Sequence, residues 1–204
     1  MFDILGGEDN PTYKELEVSN TDRHLSFLKS ITETAIRVKK PFLSSQVLRA
    51  LNYHAIACLH THPGEYRPCE VGVGDYVPPQ MYRVQGLMDD FINTVNLNWT
   101  SLDAVSLATF ALWRLCNIHP FINGNGRTAR AVAHFIICTK YDGWLPGDKV
   151  LPQLLKDNRP ELILNLQAAD ESVKKGSLDL SSLFDMVSRL LQEQLNSAKP
   201  AAAP

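Results

Sequence analysis

A polar turn set between two strongly apolar helical stretches constrains this chain more than any other feature. Upstream runs "LDAVSLATFALWRLCNI", opened by Thr100 and Asp103, which read as a capping box; downstream a helix is predicted from about Gly126 to Tyr141, with Gly143 as its C-cap. Between them "HPFINGNGRTAR", residues 119–130, places one histidine, two asparagines, two glycines and two arginines in twelve positions. A turn between helices needs only residues that stop one helix and start the next, so so much polar chemistry implies a ligand.

Helical spacing extends through almost the whole chain. "TDRHLSFLKSITETAIRVKK" carries Leu25, Leu28, Ile31, Ala35 and Val38 near helical spacing and is stopped by Pro41. "SSQVLRALNYHAIACL" starts with Ser44 or Ser45 as N-cap. "MYRVQGLMDDFINTV", "PELILNLQAADESVKK" with Pro160 in its first turn, and "LSSLFDMVSRLLQEQLNSA" complete the set. Only "HPGEYRPCEVGVGDYVPPQ" reads as strand and turn, short β-branched pieces between glycines and the pair Pro78-Pro79, which predicts a small hairpin or flap over residues 64–79. The expectation is one all-α domain of seven or eight helices with that flap, over residues 21–196, preceded by an N-terminal extension at 1–20 and followed by a disordered tail at 197–204.

Several function classes fall away on composition. At 204 residues, 45% hydrophobic and a net charge of −2, the chain suits a globular domain with a sizeable core. The longest apolar runs, "AVAHFII" and "VSLATFALW", fall well short of the ~20 residues a membrane-spanning helix needs, and "MFDILGGEDN" lacks the basic and apolar regions of a signal peptide, so no membrane association and a cytoplasmic location are expected, delivery into another cell aside. No basic stripe marks a nucleic-acid surface. Cys58, Cys69, Cys116 and Cys138 show no CxxC spacing and read as reduced, structural thiols.

What remains is local anion recognition at the turn. Gly124, Asn125 and Gly126 precede a helix whose first backbone N–H groups have no intrahelical partners, and glycines let a phosphate approach that backbone. Arg127 and Arg130, three apart, share one face of the first turn, where the helix dipole disfavours positive charge by a few tenths of a kcal/mol unless an anion lies between them. Alone they would pass for solvated surface arginines. His119 alone would pass for a capping residue before proline; at the mouth of this turn it can take a proton from a hydroxyl that attacks a cradled phosphate. Together these residues point to phosphoryl or nucleotidyl transfer. No GxxxxGK[ST], no GxGxxG between strand and helix and no kinase motif is present.

"HPFINGNGR" followed by Arg130 resembles the Fic motif HPFx[D/E]GNGRxxR at every fixed position but one, and the likeness extends through "GEYRPCEVGVGDYVPP" and "NRPELILNLQAAD". The resemblance implies a protein adenylyltransferase that moves AMP from ATP to a Ser, Thr or Tyr hydroxyl of a target protein. It implies His119 as general base, Phe121 as an anchor of the loop, Gly124, Asn125 and Gly126 as the cradle of the α- and β-phosphates, and Arg127 and Arg130 on the β- and γ-phosphates. Tyr66, Arg67, Val71 and Val73 of the flap would dock the target by β-augmentation.

The mismatch is Asn123, where the family has the carboxylate that binds magnesium; an amide oxygen ligates a hard cation without its charge. Asn123 therefore stands as a weakened metal ligand, and a nucleotide-binding or weakly active protein, one with an altered donor, or one that removes AMP is the alternative. Phosphocholine- and phosphate-transferring relatives illustrate the altered donor, although Gly126, where Doc-like relatives have lysine, favours the nucleotidyl branch. The family's inhibitory pattern [S/T]xxxE[G/N] finds no match: Glu65 alone has a Ser or Thr four places before it, and Tyr66 follows. No intramolecular brake is expected, which leaves room for an antitoxin-like partner; assembly into a homo-oligomer is left open. A metallohydrolase reading of "HTHPGEYRPCEVGVGD", with His60, His62 and Asp75 as ligands, lacks the serine that HxHP-type enzymes need.

Overall fold

A computed structural model describes residues 3–7, 9–39 and 43–198. These residues form eight α-helices: α1 (Pro11–Val38), α2 (Ser45–Ile56), α3 (Val84–Leu97) entered through a 3₁₀ turn at Met81–Arg83, α4 (Ala104–Ile118), α5 (Asn125–Lys140), α6 (Leu151–Asp157), α7 (Arg159–Lys174) and α8 (Ser181–Asn196). The all-α architecture follows the sequence expectation. Pro41 and the tail from residue 199 lie outside the described residues.

The centre is the antiparallel pair α4 and α5, the most extensive helix contact in the molecule. From Ala129 to Cys138 almost every α5 residue except Arg130 is buried, so the helix must be covered on all sides. α1 and α2 cover one side, α6 another; α3 and α8 flank α4, and α7 lies across α4, α6 and α8.

Helix ends differ from the sequence reading where the partner is distant. α1 starts at Pro11 rather than Thr21, with Asn10 as N-cap accepting from Thr12 N–H. Its first half lacks an apolar stripe; it is seated instead by Tyr13, whose hydroxyl meets His60 Nε2 at 3.3 Å, and by buried Asn20, which donates to the Ala57 carbonyl. The helix ends at Val38, where Lys39 turns left-handed at φ 53. α4 is capped by Asp103 itself, whose Oδ1 accepts from Val105 and Ser106 N–H, with no capping box from Thr100. Gly143 N–H returns to the Cys138 carbonyl beyond the C-cap Tyr141. The short α6, opened at Leu151-Pro152, has too few residues to show a period in sequence.

The flap holds no extended strand. It closes on one antiparallel bridge, Val73 with Tyr76, each donating N–H to the other's carbonyl at 3.0 Å, and a second bridge joins Tyr66 to Phe121 of the motif turn. The hairpin is thus a tight turn around Gly74 and Asp75, and most of the flap is held by side chains.

Candidate active site

α4 stops at Ile118 because His119 adopts a left-handed conformation, φ 50 and ψ 59, that ejects the chain from the helix just before Pro120. Phe121, fully buried, then anchors the turn against Tyr66, 5.6 Å away between ring centres. Asn125 locks the turn from inside: its Oδ1 accepts from Phe121 N–H and its Nδ2 donates to the Phe121 carbonyl, at 2.9 and 2.8 Å. Any contact of Asn125 with an anion is therefore left to its backbone.

Gly124 is the N-cap of α5 at φ 75, and a Cβ there would stand 2.7 Å from Ile56 Cγ2 and 2.9 Å from Asn52 Nδ2. α2 presses so closely because buried Asn52 ties the site together. Its Nδ2 donates to the Asn123 carbonyl at 2.8 Å and its Oδ1 accepts from Gly64 N–H at 3.0 Å. The first backbone bond of α5 runs from Thr128 N–H to Gly124 O, so the N–H groups of Asn125, Gly126 and Arg127 precede the helical ladder. Gly126 matters for a different reason. A Cβ there would meet Arg130 Nη1 at 3.1 Å, so its absence lets that guanidinium lie back over the helix N-terminus.

The two arginines are not equivalent. Arg127 is engaged by protein: Nη1 donates to the Ala55 carbonyl at 2.9 Å and lies 3.3 Å from Glu17 Oε1 of α1, and Nη2 donates to Asn123 Oδ1 at 3.1 Å. Arg130 has no hydrogen bond or ion pair among the described residues, and it is half-buried. Burial and the nearby charges of Arg127 and Arg159 hold its pKa below the usual guanidinium value, the Cys116 thiol opposing them. His24 on α1 feels the same charges: burial, then Arg127, then His54 and Arg130, push its pKa down to about 4. A half-buried guanidinium with no carboxylate partner among the described residues, beside two more arginines and a helix N-terminus, has the chemistry to receive an anion.

His119 is half-buried, and burial pushes its pKa down to about 4; a hydrogen bond to the Cys116 backbone opposes the shift and Arg67 adds to it. The imidazole is neutral at pH 7 and able to accept a proton.

Asn123 does not fit a metal ion. Its Oδ1 already accepts from Gly124 N–H at 2.5 Å and from Arg127 Nη2 at 3.1 Å, two donors that occupy the oxygen. Among the described residues no three His, Cys, Asp or Glu side chains gather to hold a metal. In this geometry Asn123 serves the turn, and the oxygen that the sequence reading offered as a weakened magnesium ligand is taken up by these two donors. The same finding removes the metallohydrolase reading, since His60 packs edge-on against Tyr13 and His62 Nδ1 meets the hydroxyl of Thr61. All four cysteines are free thiols.

The flap residues divide. Val73 is exposed, with Gly72, Gly74 and Asp75 exposed beside it, and Val71 is half-buried. Tyr66 packs inward with a buried hydroxyl, and burial raises its pKa to about 12. Arg67 is 3% exposed, and it is a bolt rather than a docking residue. Its N–H donates to the Pro120 carbonyl at 2.8 Å, Nε to the His119 carbonyl at 2.9 Å, Nη1 to Cys69 O at 3.0 Å, and Nη2 to Pro79 O. Sequence reasoning passed over Glu17, His24, Asn52 and Arg159; of these only Asn52 left a trace, as an amide on the apolar face of α2. The sequence reading looked for a glutamate on Arg130, and among the described residues none pairs with it; Glu17 instead reaches Arg127, with Tyr13 four places before it.

Comparison with known proteins bears on family and fold. The model of the Fic/DOC family matches residues 42–137. "Protein adenylyltransferase Fic" of Drosophila willistoni is 37% identical over 91 residues, 43% of this chain and 18% of the relative, so the match spans about a fifth of that protein. Fic-1 from C. elegans superposes with a TM-score of 0.70 over 88% of this chain and 49% of its own, at 22% identity, a likeness of fold. IbpAFic2, crystallised covalently tethered to Cdc42, superposes with a TM-score of 0.51 over 87% of this chain and 62% of its own, at 16% identity.

Proposed function

The chain belongs to the Fic/DOC family, and from that premise we propose that it is a protein adenylyltransferase, moving AMP from ATP to a Ser, Thr or Tyr hydroxyl of a target protein. The observation that carries the reading is Arg130, half-buried without an anionic partner over the open N-terminus of α5. Phosphates of ATP supply the missing charge: backbone N–H groups of Asn125, Gly126 and Arg127 receive the α- and β-phosphates, and Arg130 the γ-phosphate.

In the transfer, the acceptor oxygen attacks the α-phosphorus, the bond from that phosphorus to the bridging oxygen of the β-phosphate breaks, and pyrophosphate leaves. His119 takes the hydroxyl proton; its lowered pKa keeps it neutral well below the pH at which an ordinary histidine charges. Negative charge that develops on the leaving pyrophosphate meets Arg130 and the helix N-terminus. No step is routed through magnesium, because Asn123 does not fit it.

The edge at Val71 to Val73, exposed at Gly72 and Val73, is the surface on which an extended segment of the target would pair; that the target is a protein is in keeping with IbpAFic2, which was crystallised tethered to Cdc42. The occupied oxygen of Asn123 favours a second reading, a nucleotide-binding protein of low transfer rate or with another donor. Equilibrium dialysis with ATP, ADP and AMP tests the phosphate assignment. Arg130→Ala should weaken ATP by about 1.5–3 kcal/mol, the worth of a charged hydrogen bond, and leave AMP unchanged. Equal loss for all three nucleotides would refute it.

A further inference from the structure

Behind the motif turn lies a side-chain chain that neither the proposed chemistry nor the motif uses. On α7, Asp170 Oδ1 accepts two hydrogen bonds, from Trp113 Nε1 at 2.9 Å and from Asn117 Nδ2 at 2.8 Å, both on α4. Asn117 Nδ2 also donates to Tyr76 Oη at 3.0 Å, the Tyr76 hydroxyl donates to the Asn117 backbone carbonyl at 2.6 Å, and Asn117 Oδ1 accepts from Arg114 Nη1 at 2.8 Å. Asn117 needs to be an amide: it must donate twice from one end and accept at the other, which neither Asp nor Leu can do.

Tyr76 is the residue on which the flap closes, through its bridge to Val73. The base of the flap is bolted to residues 119–121 by Arg67 and by the bridge of Tyr66 to Phe121. Among the described residues its tip is hydrogen-bonded to the body of the protein through the Tyr76 hydroxyl, and that tie lands two residues before His119. Burial, with Asp170 adding to it, raises the Tyr76 pKa to about 12, so the phenol stays protonated and keeps its donor.

We propose that Asp170 is a positioning residue of the transfer site: it fixes the Asn117 amide so that Asn117 clamps the Tyr76 hydroxyl, which holds the Val71 to Val73 edge of the flap in register with His119. This rests on the proposed transfer to a protein acceptor. A tethered edge presents its backbone to an incoming segment without the entropy of ordering a loose loop, and it keeps the acceptor hydroxyl at a set distance from the base. The device acts on the acceptor side of the reaction and leaves the phosphate cradle alone, and that separation is what an experiment can read.

Three variants of the full chain decide it: Tyr76→Phe, which removes only the hydroxyl; Asp170→Ala; and Asp170→Asn, which keeps an oxygen acceptor at Oδ1. Amide hydrogen exchange over residues 70–78 should rise about tenfold or more in Tyr76→Phe and Asp170→Ala, return to within about threefold of the unmodified protein in Asp170→Asn, and stay unchanged in α5. ATP binding should stay within about twofold in all three, while transfer of α-labelled AMP to protein falls about tenfold in Tyr76→Phe. Exchange that is unchanged in Tyr76→Phe, or that rises equally in the flap and α5, overturns the tether, and so does an Asp170→Asn protein no better than Asp170→Ala. Should the unmodified chain transfer no label while flap exchange responds as stated, the tether stands and the transfer reading falls.

Discussion

Glu17 Oε1 of α1 lies 3.3 Å from Nη1 of Arg127 on α5, which sets a carboxylate of the first helix against one of the two motif arginines. An anion entering the N-terminus of α5 must share Arg127 with it. The Glu17 side chain is half exposed, and such a pair contributes about 0.2–1 kcal/mol. Glu17→Gln should therefore tighten ATP by no more than about fivefold, with a weaker effect at high salt. Isothermal titration in about 50 mM and about 500 mM salt checks it; unchanged or weaker ATP binding in the variant would show that Glu17 does not compete.

Gly124 sits where no side chain fits. Left-handed backbone at φ 75 costs an alanine about 1–2 kcal/mol, and the clash with Ile56 and Asn52 adds about 1–3 kcal/mol. Gly124→Ala should lower Tm by about 5–15 °C, whereas Gly143→Ala, with nothing within 4 Å of the added methyl, should be close to neutral. Differential scanning calorimetry of the pair distinguishes this from a general cost of losing glycine.

Acid should unfold the protein early. His24 and buried His134 have pKa values pushed down to about 4, so both are neutral in the fold while unfolded histidine charges near 6.5. A depressed histidine contributes its stability above the unfolded pKa and loses it as pH falls toward the folded one. Each amounts to about 3 kcal/mol between pH 6.5 and 4, with the unfolded state binding the extra protons. Urea midpoints measured across that window should fall steeply, and His134→Gln should flatten the slope.

Asn123→Asp tests whether a metal ion can enter at this position. With Oδ1 still bonded to Gly124 and Arg127, the new carboxylate puts a charged oxygen where the amide N–H₂ now stands. Nucleotide binding by the unmodified protein should change less than about threefold when magnesium is chelated, and the variant should acquire a clear magnesium dependence. Strong dependence in the unmodified protein would restore Asn123 as a ligand.

What could be read in advance from the sequence was local. His119, the two glycines and the helix start at Asn125 follow from residues within one turn of each other, and the apolar faces of α2, α4 and α8 follow from their spacing. That the Asn123 oxygen is occupied depends on where Arg127 points, which spacing leaves open. Arg67 has the composition of a surface residue and was expected in target docking; four carbonyls of the flap and the motif turn claim it. Glu17, Asn52 and Asp170 join the site across dozens of residues, through hydrogen bonds or an ion pair that carry no period.

The central claim is that His119 takes a proton from a protein hydroxyl while AMP is transferred. The most direct measurement is transfer of label from ATP onto protein, with the label on the α-phosphate or on the γ-phosphate, by the unmodified chain and by His119→Ala. The account predicts protein labelled from α-labelled ATP only, a loss of about 100-fold or more in His119→Ala, and ATP affinity and Tm nearly unchanged in that variant. Label arriving from the γ-phosphate, or transfer by His119→Ala at the unmodified rate, would contradict it.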